Sequence, residues 1–149
     1  LKIFTIMNSL KNEIDLLMHI TTKYLNLDIK DINVQQKTDT QVMARMIICN
    51  ILMENGIKPA QLANHFCKHR TNFYHYLKLH KSYIVNPRMY PLYIDNFNAI
   101  YAEYKKKSNH ISEIQNMQAI EDIDNALLEL VQIRKFLQNG KAKFEKASN

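Results

Sequence analysis

"PAQLANHFCKHRTNFYHYLK", residues 59–78, holds two short runs at helical spacing, separated by three residues. Pro59 suits the first turn of a helix, where its missing N–H breaks no hydrogen bond. Leu62 and Phe66 fall four apart on one face, and "CKH" at 67–69 closes that run. A second run, from about Arg70 to Tyr83, directs Phe73, Leu77 and Ile84 inward, with Tyr76 as an alternative to Leu77. Lys68, His69, Arg70, Thr71, Asn72 and His75 crowd its exposed start. Two short helices joined by a tight turn, the second one basic, predict a helix-turn-helix, although the glycine frequent in such turns is absent.

Outward from this unit the same spacing continues. Met43, Ile47, Ile48, Ile51 and Leu52 form a broad apolar stripe over 39–54, stopped by Asn55-Gly56. Before it, a helix is expected over 9–24, then a polar connection (27–40) with a short turn at "IKDI". After "VNPRMYP" (85–91), Tyr93, Phe97, Ile100, Tyr101 and Tyr104 line a helix over 92–107. An aromatic stripe at that spacing means packing before it means base stacking. "KKKSN" (105–109) reads as a hinge, and 141–149 as a fraying end. Only two glycines and three prolines interrupt 149 residues, so the fold class is all-α. The expected organisation is a helix-turn-helix domain over 9–84, a packing helix over 85–107, and an acidic amphipathic helix over 108–140.

Charge is unevenly distributed. The net charge is +6, yet residues 1–57 carry six basic and six acidic side chains. No acid occurs from Asn55 to Ile94, where Lys58, Lys68, Arg70, Lys78, Lys81 and Arg88 all fall. Such a block is the electrostatic footprint of a nucleic-acid surface. Residues 108–133 then hold Glu113, Glu121, Asp122, Asp124 and Glu129 with no Lys or Arg.

Several chemistries are excluded or disfavoured. Phosphate-binding loops and dinucleotide fingerprints need closely spaced glycines, which Gly56 and Gly140 are not. Cys49 and Cys67 read as reduced, buried thiols of a cytoplasmic protein. Asn8, Lys11, Asn12, Glu13 and Asp15 break any secretory or membrane pattern near the start, and Met7 is a candidate initiator. His65, Cys67 and His69 make a poor metal set, because on a helix 65 and 69 share a face that 67 leaves. No cofactor, metal or catalytic group is expected.

Three blocks in order give residues 14–80 a resemblance to domain IV of the bacterial chromosomal replication initiator (DnaA). "ITTKYLNLDIKDI" (20–32) matches the family's opening helix and its turn, here Asp31-Ile32. "KTDTQVMAR" (37–45) matches a run from a basic residue to an Ala-Arg pair, and residues 59–78 match the helix-turn-helix. The resemblance implies the Trp-repressor type of helix-turn-helix and binding to double-stranded DNA. It places Lys68, His69, Arg70, Thr71 and Asn72 on the family's basic–Asp–His–Thr–Thr reading run, with His75 one turn later. Three of those five differ, so it implies the docking mode with a changed DNA sequence. The family's ATPase part has no counterpart, which implies a replication-initiation accessory or a transcriptional regulator.

The residue chemistry leads the same way. Arg70 presents the fork that guanine accepts, Asn72 the fork for adenine, and Thr71 a methyl for thymine or a cap for the helix. Lys37, Arg45, Lys58, Lys68 and Lys78 would neutralise phosphates without reading sequence. Two other readings compete. Arg70 and His75 form an R-x4-H pair that resembles the motif of HEPN-type, metal-independent ribonucleases. Alternatively, the chain is a helical adaptor: Ile120, Ile123, Leu127, Leu130 and Leu137 alternate three and four apart, with Arg134 where the series wants an apolar residue. That pattern suits a homodimer or a helical protein partner.

Overall fold

The computed structural model describes residues 2–33 and 38–149; Lys37, expected to meet phosphate, lies outside the described residues. Six helices follow one another: α1 (Lys2–Leu25), α2 (Ile29–Asn33), α3 (Asp39–Glu54), α4 (Pro59–Phe66), α5 (Arg70–Val85) and α6 (Pro91–Ala147). Every regular element among the described residues is helical, as the scarcity of breakers requires. Two compact units divide the chain, Leu1–Lys107 and Ser108–Asn149.

Within the first unit α3 is the central helix. It starts on a capping box: Gln41 N–H donates to Thr38 Oγ1, and Thr38 N–H to Gln41 Oε1, each at 3.4 Å. It ends where Asn55 donates back to the Ile51 carbonyl and Gly56 takes a φ of 89°. Between these limits Ala44 and Met46 through Leu52 are buried, so α3 is covered on several sides by α1, α2 and α5. Ile14, Leu17, Met18 and Ile20 of α1, Ile32 of α2, Leu62 of α4 and Phe73 of α5 complete the core. Each large aliphatic side chain so buried contributes about 1.5–3 kcal/mol.

The turn from α4 to α5 does without glycine. Cys67 takes the left-handed conformation itself, with φ 50° and ψ 42°, and Lys68 N–H closes on the Ala63 carbonyl at 3.1 Å. A left-handed non-glycine costs roughly 1–2 kcal/mol. The same geometry leaves Cys67 exposed, contrary to the expectation of two buried thiols, while Cys49 is buried as expected.

The start of α6 seals the unit with Tyr93, Phe97, Ile100 and Tyr104, all buried, so these aromatics are core. His80 of α5 sits among them: its ring lies 4.5 Å from that of Phe97, and Nδ1 is 2.7 Å from the Tyr93 hydroxyl. Its Nε2 faces the Glu54 carboxylate of α3 at 3.5 Å. Burial pulls the His80 imidazole below its ordinary value of 6.5, against the opposing pull of Glu54. Burial also pushes the Tyr93 hydroxyl up.

One expectation fails here. Ile84 is exposed and Leu77 only partly covered; α5 packs instead through Phe73, Tyr76, His80 and Tyr83. The expected hinge at 105–109 contains the division between the two units, at Lys107–Ser108, and its residues are helical. Lysine favours helix, Lys107 pairs with Glu103 at 2.9 Å, and Lys105 lies over the Tyr101 ring.

The second unit, taken by itself, is helical from Ser108 to Ala147, so the end expected to fray from 141 is ordered into helix. Every side chain from Asn109 onward is exposed.

Candidate nucleic-acid interface

Helix α5 is held at three points that set how it faces solvent. Phe73 is buried, with its ring 6.3 Å from Phe66 and 6.2 Å from Tyr76. Asn50, fully buried in α3, donates its side-chain amide to the Tyr76 carbonyl at 3.2 Å and to the Met46 carbonyl at 2.8 Å. His80 anchors the following turn.

The N-cap of α5 is His69, where the sequence pointed to Thr71. The Thr71 N–H donates to His69 Nδ1, and the Thr71 hydroxyl lies 2.8 Å from the same nitrogen. Histidine is not among the favoured caps, which is why residue type gave no signal for it. With His69 capping, Arg70, Thr71 and Asn72 form the first exposed turn.

Successive helical residues are rotated by about 100°. Relative to buried Phe73, Asn72, His75, Thr71 and Lys78 therefore occupy one continuous outward face. A concave groove of about 450 Å³ borders it, lined by Lys68, Asn72, His75, Tyr76 and Leu79, with Val42 and Arg45 from α3. Four residues expected from sequence (Arg45, Lys68, Asn72 and His75) thus meet at one site.

Others do not join them. Arg70 is exposed on the opposite flank of α5, about 140° around the helix from His75. Lys58 is exposed at the start of α4 and does not line the groove. Of the four that do line the groove, Arg45, expected at a phosphate, is only 8% exposed and donates from Nη1 to the Ile32 carbonyl at 3.0 Å. Its position ties α2 to α3 and leaves it at the groove floor. Val42 and Leu79 were missed because nothing polar marks them; Val42 lies three residues from Arg45 on the same face of α3.

Burial pushes the Cys49 thiol up to about 12, against the lowering influence of Arg45 and Lys68, so it stays protonated. Among the described residues no group of three or more His, Cys, Asp or Glu side chains is placed to hold a metal ion. No helix of the described residues is long and apolar enough to cross a membrane.

No protein-family model matches the chain, and no curated protein matches it.

Proposed function

We propose that residues 9–85 read double-stranded DNA by laying the opening turns of α5 in the major groove. The observation that carries this reading is the continuous exposed face of Thr71, Asn72, His75 and Lys78 beside Lys68, set in a stretch free of acid from Asn55 to Ile94. Side chains at the start of a recognition helix are the ones that reach base edges. Asn72 addresses adenine, Thr71 a thymine methyl or a phosphate, and His75 a base acceptor one turn on. Lys58, Lys68, Arg70 and Lys78 neutralise phosphates, and His69 holds the reading turn in shape.

The resemblance of residues 14–80 to domain IV of the replication initiator supports the same docking mode. On that resemblance the role we propose is a replication-initiation accessory or a transcriptional regulator, acting in the cytoplasm. The ribonuclease reading draws no support from a pair, Arg70 and His75, that leaves the helix in divergent directions.

Selection from a random duplex library, followed by anisotropy titration, tests the proposal. One enriched motif, with preference lost in Asn72→Ala, is the expected result. Absence of duplex binding even at low salt would sink it. RNA cleavage in EDTA that depends on His75 would replace it with the ribonuclease.

A further inference from the structure

The exposed helix 108–147 carries an apolar seam that nothing in its own unit covers. Ile120, Ile123, Leu127, Leu130, Leu137 and Phe144 are each 55% exposed or more. They fall at alternating spacings of three and four, with Arg134 and Lys141 in the two remaining seam positions. An apolar stripe of this extent on a lone helix is a contact surface, and its charges identify the occupant. Residues 108–133 hold five acids and no Lys or Arg, whereas 134–147 hold Arg134, Lys135, Lys141, Lys143 and Lys146 against Glu145 alone.

We infer that this helix pairs with the same helix of a second copy, antiparallel, about a midpoint between Leu127 and Leu130. In that register Leu127 meets Leu130 of the second copy, and Ile120 meets its Leu137. Arg134 falls opposite Ile123 and between the carboxylates of Glu121, Asp122 and Asp124. Lys141 and Lys143 come alongside Glu113. A parallel, in-register pair would instead stack Arg134 on Arg134 and Lys141 on Lys141 inside the seam, and set acid against acid before it. Like charges so placed are repulsive, and seam charges of this kind fix orientation. The inference concerns the second unit alone and does not depend on DNA binding.

Sedimentation of the full chain tests the pairing. The expected mass is twice 17.6 kDa at low salt. The double variant Leu127→Glu/Leu130→Glu should sediment as a monomer; both side chains are exposed, so folding of the first unit, followed by its thermal melt, should not change. Arg134→Glu should weaken the dimer, and Glu121→Arg added to it should restore it. Orientation is read by disulfide trapping in a Cys67→Ser background. A mixture of Ile120→Cys and Leu137→Cys chains carrying different tags should cross-link to each other, and neither to itself. A monomer at all concentrations, a larger assembly, or self-cross-linking of either single-cysteine chain would overturn the inference.

Discussion

Asn50 on α3 and Tyr76 on α5 are joined by a side-chain amide donating to a backbone carbonyl at 3.2 Å, inside the core. The bond fixes the rotation of α5 about its own axis, and with it the direction in which Asn72 and His75 face. Asn50→Ala removes this bond and that to Met46. A loss of about 0.5–1.5 kcal/mol per bond is expected, the net worth of an ordinary hydrogen bond, because both carbonyls keep their helical N–H partners. Urea unfolding of both proteins measures it.

A pH dependence follows from His80. Burial sets its folded pKa below 6.5, so between the two values the unfolded chain binds more protons than the folded one. Stability is fully present above 6.5 and falls as pH drops through the folded value, below which the loss levels off. Glu54 limits the loss and Tyr93 offers no compensating charge. The remaining histidines (His19, His65, His69, His75 and His110) are exposed. Melting curves at pH 7.5, 6.5 and 5.5 should decline, and His80→Gln should flatten that slope while lowering the plateau.

Asn72 and Arg70 should separate in their effects on DNA. Asn72→Ala should cost ~1–3 kcal/mol on the selected site and relax preference at one base pair. Arg70, on the far flank, should behave with Lys68 as a phosphate contact. Alanine at either is expected to weaken all duplexes alike and to reduce the salt slope by about 1. Titrations at several salt concentrations on matched and scrambled duplexes distinguish the two behaviours.

Cys67 offers a test of the turn. Cys67→Val puts a β-branched side chain into a left-handed backbone and should destabilise further, by less than the ~1–2 kcal/mol that cysteine already carries there. Cys67→Gly relieves that conformation but loosens the unfolded chain, so its net effect should lie within about 1 kcal/mol of zero. Chemical denaturation gives both values.

The helix limits of α3, α4 and α5 were legible because local chemistry marks them. Asn55-Gly56 stops α3, Pro59 opens α4, and a three-residue turn separates α4 from α5. Which way α5 faces was less legible. From Phe73, steps of four lead to Leu77 and then towards Ile84, whereas steps of three and four lead to Tyr76, His80 and Tyr83. Both satisfy the helical period, and the choice falls to α6, whose Tyr93 and Phe97 meet His80 across thirteen or more residues of sequence. The burial of Arg45 was not legible for a related reason. A basic residue in an apolar stripe reads as exposed unless the carbonyl that receives it, here that of Ile32, is known.

The cap of α5 has one more consequence. Because Nδ1 takes the Thr71 N–H, Nε2, on the far side of the imidazole, is the ring nitrogen left to face DNA, beside the uncharged side chains of Thr71 and Asn72. An uncharged side chain such as that of Thr71 or Asn72 displaces no counterion when it meets a base or a phosphate, so rising ionic strength would leave its contact intact while eroding those of Lys68 and Arg70. Affinity and discrimination would then part company with salt: binding weakens, and the sequence preference carried by the uncharged groups of the reading turn persists.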